Sequence, residues 1–153
     1  RRSSDLVAIG CGAQVVGIDM DAEAIAVARA RFAAPNVTYV QGDATQDLPG
    51  GGFDAVILSN VLEHIDARVE CVQKLIGSTG ARRFLIRVPL FERDWRVPLK
   101  KELRLEWRLD LTHRTEYTLE SFREEMARCG LKPVHLEVRW GEIWSELCPI
   151  PNP

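Results

Sequence analysis

The chain has 153 residues, of which 46% are hydrophobic and 27% are charged, and its formal net charge at pH 7 is -2. This length and composition fit one folded domain with a sizeable core and exclude a disordered chain. A net charge this close to zero does not attract a polyanion over long distances, so we do not expect nucleic acid as a partner. No apolar run approaches the roughly 20 residues of a membrane-spanning helix, and no signal-peptide core follows Arg1, so we expect a cytoplasmic protein without a membrane partner.

Strand-like and helix-like segments alternate along the first part of the chain. Short apolar runs typical of buried parallel strands lie at residues 6–9, 14–18, 37–41, 53–58 and 84–88. A helix that Asp21 can cap precedes the third run, and a second helical pattern starting near Asp66 precedes the fifth. The alternation predicts parallel βαβ units, and therefore one α/β domain over residues 1–153 with a doubly wound, mostly parallel, Rossmann-like sheet.

Residues 91–114 interrupt this rhythm, because they hold many charges and no clear strand. Within them, Leu99, Leu103 and Trp107 fit a short helix opened by Pro98. We interpret the segment as a lid-like insertion after the fifth strand, where it would overhang the cleft.

The last part of the chain predicts one helix and two strands. Thr118 can cap the helix, and Gly130 can end it. Residues 134–140 and 142–147, separated by Gly141, are typical of a terminal pair of antiparallel strands.

Small and acidic residues follow successive predicted strands, at the edge where doubly wound sheets bind ligands. Gly10 and Gly12 would let a ligand approach the backbone closely. Asp19 has the position of a carboxylate that accepts hydrogen bonds from both ribose hydroxyls of a nucleotide. Asp43 could accept from an adenine amine, with the backbone N–H of Ala44 offered to a ring nitrogen. Each also has a plainer interpretation as a turn glycine, a helix cap or a turn aspartate, but the joint pattern favours a nucleotide site.

Four segments together resemble the successive motifs of class I S-adenosylmethionine-dependent methyltransferases, especially the small-molecule methyltransferase-domain group. They are Ala8-Ile9-Gly10-Cys11-Gly12, Val15-Val16-Gly17-Ile18-Asp19, Gln41-Gly42-Asp43-Ala44, and Phe53-Asp54-Ala55-Val56-Ile57 through Asn60-Val61-Leu62-Glu63-His64. The resemblance implies S-adenosylmethionine as cofactor, with the glycines and Asn60 on its methionine side, Asp19 on its ribose, and Asp43 and Ala44 on its adenine. The implied cofactor-binding residues are Gly10, Cys11, Gly12, Asp19, Met20, Asp43, Ala44 and Asn60.

Two features depart from the family pattern. Ala8 stands where the family usually carries an acidic residue. Asp19 follows Gly12 by only seven positions, whereas a glycine loop, a crossover helix and a strand place the ribose acid about 20 residues on. A segment absent between Gly12 and Ala13, a deletion in the gene, or a hairpin of the first two strands would each explain the short spacing. We favour the absent segment, because a hairpin would break the βαβ order and a deletion would spare every other motif.

The chemistry of methyl transfer asks little of the protein beyond alignment and exclusion of water, because the cofactor supplies an activated methyl group. A base is needed only when the accepting atom arrives protonated. His64 and His113 are the candidate catalytic residues. Their plainer alternatives are a structural histidine at the start of the following helix for His64 and a surface-loop histidine for His113.

The sequence therefore predicts an enzyme that transfers a methyl group from S-adenosylmethionine to O, N or C of a small-molecule acceptor. A non-catalytic cofactor-binding or interaction module of the same fold is the alternative that Ala8 and the short glycine region allow. A nicotinamide-dependent oxidoreductase is disfavoured, because Gly12 is not followed by the third glycine of that motif. A homodimer is compatible with the sequence.

No metal site is expected from the cysteines. The four, Cys11, Cys71, Cys129 and Cys148, lie far apart in apolar stretches without a CxxC pair. We expect them to be free thiols.

Overall fold

A computed structural model of the chain describes residues 12–47, 52–108 and 110–151. They belong to two compact units, residues 1–50 and 51–153. None of the helices in the described ranges is long and apolar enough to cross a membrane. The predicted strand at residues 6–9, together with Gly10 and Cys11, lies outside the described residues.

The first unit contains two parallel strands joined by a helix. Strand β1 (Val15–Asp19) leads into helix α1 (Ala22–Arg31), which returns the chain to strand β2 (Val37–Gln41). The strands pair in parallel from Val15 opposite Val37 to Asp19 opposite Gln41. As predicted, Asp21 caps α1, and its side chain accepts a hydrogen bond from the backbone N–H of Glu23 at 2.9 Å. The segment favoured between Gly12 and Ala13 stays a prediction.

The second unit contains a four-stranded sheet and three helices. In chain order its elements are β3 (Ala55–Ser59), α2 (Arg68–Thr79), β4 (Arg83–Pro89), α3 (Arg96–Glu102), α4 (Leu119–Arg128), β5 (Leu131–Arg139) and β6 (Glu142–Pro149). The strand order is β3-β4-β6-β5. Only β3 and β4 are parallel, since β6 is antiparallel to both of its neighbours. The expectation of a mostly parallel sheet is therefore wrong for this unit.

A two-residue turn explains the antiparallel pairing of β5 with β6. Trp140 and Gly141 connect β5 to β6 with φ angles of +53° and +75°, a combination that suits a type I′ turn between antiparallel strands. β5 forms one edge of the sheet, and its register shifts between Pro133 and His135.

The core of the second unit lies between the sheet and helices α2 and α4. Phe84, Ile86 and Val88 alternate along β4 and are buried, as are Phe122 and Met126 on α4. Thr118 caps α4 as predicted, in a capping box with Ser121. Gly130, with φ +82°, follows the last helical turn.

The insertion at residues 91–114 contains a shorter helix than the sequence predicts. α3 ends at Glu102 instead of continuing to Trp107. Arg104 takes a left-handed φ of +57°, which a continuing right-handed helix does not allow. Trp107 instead packs edge-to-face on Phe91, with ring centroids 5.6 Å apart, and Lys101 Nζ lies 5.0 Å from both ring centroids.

Candidate active site

The carboxyl ends of β1 and β2 bring two predicted cofactor residues to the same edge of the first unit. Asp19 is the last residue of β1, and its carbonyl accepts a hydrogen bond from the N–H of Gly42, next to Asp43, at 3.0 Å. Asp19 Oδ1 accepts from the backbone N–H of Asp21 at 2.9 Å. Within the described ranges, Oδ2 of Asp19 has no hydrogen-bond partner, and the neighbouring Met20 is 67% exposed. This carboxylate oxygen is placed to accept hydroxyl donors from solvent or a ligand.

Asp43 organises the turn that follows β2. Its Oδ1 accepts from the backbone N–H of Thr45 at 2.8 Å and from the Thr45 hydroxyl at 2.7 Å, while Oδ2 accepts from Gln46 Nε2 at 3.0 Å. The turn role that the sequence left open for Asp43 is therefore present. It positions the backbone of Ala44 directly beyond the end of β2.

Asn60 occupies the corresponding place after β3 in the second unit. Its backbone is left-handed, with φ +54°, and its N–H donates to the carbonyl of Arg87 at 2.9 Å. Its side-chain Nδ2 donates to Glu142 Oε1 at 3.4 Å. These contacts hold Asn60 at the carboxyl end of β3, where the sequence places it.

The structure brings the two candidate catalytic histidines together. His64 ends a short 3-10 helix (Leu62–His64), and His113 lies at the end of the insertion. Their ring centroids are 4.8 Å apart in an edge-to-face arrangement. The backbone N–H of Arg114 donates to the Glu63 carbonyl at 2.7 Å and so fixes the insertion against the 3-10 helix. His113 is only 6% exposed, so its interpretation as a surface-loop histidine is wrong.

A buried ion pair fixes the His113 ring. His113 Nδ1 lies 2.8 Å from Glu116 Oε1, and Arg93 bonds both oxygens of the same carboxylate. Burial raises the pKa of Glu116, but the hydrogen bonds from Arg93 and His113 outweigh it and hold that pKa below its usual 4.5. An ionised carboxylate only accepts hydrogen bonds, so Nδ1 of His113 carries a proton.

A hydroxyl fixes the His64 ring in the same way. Thr112 Oγ1 donates to Asp110 Oδ1 at 2.6 Å and lies 3.0 Å from His64 Nδ1. Since the hydroxyl hydrogen is directed to Asp110, Thr112 accepts from His64, and Nδ1 of that ring is also protonated. In their neutral forms both rings therefore keep the lone pair on Nε2.

Glu63 is the member of this cluster that sequence reasoning missed. Its residue is 1% exposed, and neither carboxylate oxygen has a hydrogen-bond partner in the described structure. Burial raises the pKa of Glu63 above its usual 4.5. The backbone N–H of Glu63 and the side chains of His64, Asn60 and His113 lower this pKa, but by less. Its Oε1 lies 3.9 Å from Nε2 of His64, whose side chain is 27% exposed. The adjacency of Glu63 to His64 was visible in the sequence, but nothing there indicated burial.

Comparison with known proteins agrees with the motifs at the strand ends. Residues 2–77 match the family model described as a methyltransferase domain. Together with the motifs, this match supports assignment of the chain to the class I S-adenosylmethionine-dependent methyltransferases. The matched residues include Asp19, Asp43, Asn60 and His64, whereas His113 lies beyond them.

Two curated relatives are uncharacterized methyltransferases of Mycobacterium bovis and Mycobacterium tuberculosis. Each is 34% identical over 64 residues, which are 41% of this chain and 32% of the relative. The match thus spans about a third of the length of these relatives.

Several solved structures, two of them named as methyltransferases, share the fold. Magnesium protoporphyrin IX methyltransferase from Synechocystis, with bound SAH, has a TM-score of 0.69 at 17% identity, over 95% of this chain and 68% of that one. A putative S-adenosylmethionine-dependent methyltransferase from Listeria monocytogenes has a TM-score of 0.64 at 13% identity, over 89% of this chain and 80% of that one. LepI in complex with SAM has a TM-score of 0.68 at 15% identity, over 89% of this chain and 36% of LepI. The likeness supports an α/β, Rossmann-like fold.

Proposed function

We propose that this methyltransferase transfers a methyl group from S-adenosylmethionine to O, N or C of a small-molecule acceptor. The observation that supports this most is the exposed carboxylate of Asp19 at the carboxyl end of β1, beside the turn that Asp43 builds. Both side chains lie within the residues that match the methyltransferase-domain model, and the motif resemblance implies a cofactor role for each. A small acceptor is further supported by one structural neighbour, which is a magnesium protoporphyrin IX methyltransferase.

The residues at the end of β1 fit the cofactor's ribose. Asp19 Oδ2 offers an acceptor without a partner in the described ranges, and ribose hydroxyls are donors. The full proposed set is Gly10, Cys11, Gly12, Asp19, Met20, Asp43, Ala44 and Asn60. When bound, S-adenosylmethionine supplies a methyl group on a sulfonium, which leaves as a neutral thioether.

His64 is the proposed proton acceptor, because its Nε2 is unprotonated in the neutral ring and its side chain is partly exposed. The buried charge of Glu63, 3.9 Å away, would stabilise the imidazolium that forms. His113 packs against the His64 ring and fixes its orientation. Residues 91–114, as a lid, would exclude water from the acceptor.

Calorimetric titration of the whole chain with S-adenosylmethionine tests cofactor binding. We expect Asp19→Asn to weaken binding about tenfold or more, because it removes a charged acceptor of hydroxyl hydrogen bonds. The matched control is Asp54→Asn, an exposed aspartate in the second unit, which should bind as the wild type does. No binding by the wild type, or equal binding by Asp19→Asn, would contradict the proposal.

The alternative of a non-catalytic module is favoured by Ala8 and by the short spacing from Gly12 to Asp19. Release of S-adenosylhomocysteine in the presence of phenol, amine and activated-methylene acceptors separates the two functions. Turnover that falls about 100-fold or more in His64→Gln would support an enzyme with a base. Tight cofactor binding without turnover on any acceptor class would support the module.

A further inference from the structure

Glu63, His64 and His113 form a three-residue cluster of metal-binding side chains. One ligand atom from each lies within 4.8 Å of the other two. Two of the three are buried, and the side chain of His64 is 27% exposed, so solvent reaches the cluster at His64. It is the one such group found among residues 12–47, 52–108 and 110–151.

The buried carboxylate of Glu63 is the first sign that a ligand belongs here. Both of its oxygens lack a hydrogen-bond partner among the described residues, although the residue is only 1% exposed. A buried carboxylate is strongly unfavourable unless a cation or hydrogen-bond donors compensate it. The nearest cationic group that could do so is the His64 ring, at 3.9 Å, which is beyond hydrogen-bond distance.

The hydrogen bonds behind the two rings are the second sign. Nδ1 of His113 donates a hydrogen bond to Glu116, and Nδ1 of His64 donates one to the Thr112 hydroxyl. Metal-binding histidines characteristically donate their second N–H to a carboxylate or another acceptor, which fixes the tautomer and the ring orientation. Here both rings are held in the tautomer that leaves Nε2 available. The support for His113 is strong, because Glu116 is itself anchored by Arg93.

We propose that Glu63, His64 and His113 bind one divalent transition-metal cation, for which Zn²⁺ is the best match. Two imidazole nitrogens and one carboxylate oxygen form a ligand set that Zn²⁺ accepts, with a fourth position left open. Mg²⁺ is a poorer match, since it prefers oxygen ligands.

The geometry requires a modest contraction of the cluster. Zn–N and Zn–O distances near 2.1 Å place tetrahedral ligand atoms about 3.3 Å apart. The ligand atoms therefore have to approach by about 1.5 Å at most. Rotation of the partly exposed His64 side chain supplies the freest movement, because Glu63 and His113 are enclosed.

Metal binding can be measured without methyl transfer, so it goes beyond the proposed function. With the cation bound, Nε2 of His64 is a ligand and no longer a proton acceptor, because the neutral ring has one lone pair. If that function also holds, the open position would bind an oxygen of the acceptor and make its proton more acidic. His64 and His113 would then act through the cation.

The test uses the whole untagged chain, freed of metal with a chelator and titrated calorimetrically with Zn²⁺ at neutral pH. We expect one Zn²⁺ per chain and, with Co²⁺ as a spectroscopic substitute, visible bands of the intensity typical of tetrahedral coordination. Glu63→Gln and His64→Gln should each weaken Zn²⁺ binding about 100-fold or more. Substitution of a residue that only hydrogen-bonds to a metal ligand already lowers metal affinity about 10- to 100-fold, and loss of a ligand should cost at least as much. Thr112→Val, which removes only the hydroxyl behind His64, should weaken it about tenfold.

His135→Gln is the matched control. His135 lies on β5 with its side chain 65% exposed, and it is the third and last histidine of the chain. Its substitution should leave Zn²⁺ affinity unchanged. Zn²⁺ should raise the thermal midpoint of the wild type and of His135→Gln but not of Glu63→Gln. Without metal, Glu63→Gln should unfold at or above the wild-type midpoint, because it removes the uncompensated charge.

Three results would overturn the proposal: no Zn²⁺ binding by the wild type, wild-type affinity in both Glu63→Gln and His64→Gln, or preferential binding of Mg²⁺ at this cluster. If Glu63→Gln fails to fold, His64→Gln and Thr112→Val still decide the question, since both side chains are partly exposed. The titration contains neither cofactor nor acceptor. A chain that binds Zn²⁺ but not S-adenosylmethionine would therefore contradict the proposed function alone.

Discussion

Three buried glutamates in the second unit differ in what compensates their charge. Glu116 is bonded by Arg93 and His113, and Arg68 Nε donates to both oxygens of Glu125 at 3.0 Å. Glu63 has neither kind of partner within the described residues. Since the buried carboxylates of Glu116 and Glu125 are both compensated, the missing compensation at Glu63 points to a ligand and not to a general tolerance of buried charge.

The Glu125 network gives a prediction at the residue scale. The Tyr117 hydroxyl donates to Glu125 Oε1. Burial and this carboxylate raise the pKa of Tyr117, so the phenol is protonated and remains a donor at neutral pH. Tyr117→Phe should lower the free energy of unfolding by about 1.5–3 kcal/mol, the value of a hydrogen bond to a charged group. Urea denaturation measures it. Leu111→Ala serves as a control. Leu111 is exposed, so this substitution should change the free energy of unfolding little.

The sequence identified single candidate residues at this site, but it did not indicate that His64 and His113 are in contact. His64 and His113 stood out because imidazole is a common general base and because both residues follow recognisable segments. Their contact joins parts of the chain far apart in sequence, and no periodic pattern encodes such a contact. Glu63 and Glu116 looked like ordinary charged residues, since burial of a glutamate is set by tertiary packing.

At the scale of elements, the turn between β5 and β6 is a point of close packing. Gly141 has φ +75°, and a Cβ added there would lie 2.8 Å from Cβ of Arg93. Gly141→Ala should therefore lower the free energy of unfolding by about 2–4 kcal/mol, through backbone strain and a clash.

Gly77 offers the matched comparison for that substitution. It lies exposed on α2 with nothing within 4 Å of an added Cβ. Gly77→Ala should raise the free energy of unfolding by about 0.5–1 kcal/mol, because alanine is the better helix former. Equal effects of the two substitutions in thermal or urea unfolding would contradict the role given to the turn.

The start of α3 carries a prediction about pH. Asp94 accepts from the backbone N–H of Arg96 at 3.0 Å and pairs with its guanidinium, which lowers the pKa of Asp94 from 3.8 to about 2. A pKa that is lower in the folded state stabilises the fold above about pH 4, and this stabilisation is lost as pH falls towards 2. The wild type should therefore have a higher free energy of unfolding than Asp94→Asn above about pH 4, and this difference should disappear towards pH 2. Urea denaturation at several pH values measures it. The difference should also shrink in high salt, because salt screens the pair of Asp94 and Arg96.

The boundaries of elements were predictable where a local signal sets them. Asp21 and Thr118 begin their helices because their side chains cap backbone N–H groups, and the cap can be read from neighbouring residues. The end of α3 was missed, since Leu103 and Trp107 keep a helical spacing that the left-handed Arg104 interrupts. Strand direction in the second sheet was also missed, because alternation of elements says nothing about where β6 inserts.

At the scale of the whole molecule, burial is distributed unevenly between the two units. Of the buried hydrophobic residues in the described ranges, Ile25 belongs to the first unit and the others to the second. A two-stranded sheet has little independent stability. We therefore expect amide hydrogens of β1 and β2 to exchange with solvent faster than those of β4 and β6.

The same exchange experiment responds to the cofactor. S-adenosylmethionine should slow exchange around Asp19 and Asp43, since a ligand that binds the folded state stabilises the segments it contacts. Hydrogen exchange followed by mass spectrometry resolves these segments. Protection confined to the second unit would contradict cofactor binding at the ends of β1 and β2.

The outer strand β5 also bears on how copies of the chain meet in a crowded solution. An open strand edge is a template on which another chain can add a strand, and such addition is how sheets grow into aggregates. Pro133 has no N–H to offer at this edge, and the register shift beside it interrupts the regular row of backbone groups. Lys132, Glu137 and Arg139 place charges along the same strand. The edge that ends the sheet thus also discourages its extension by a neighbouring molecule.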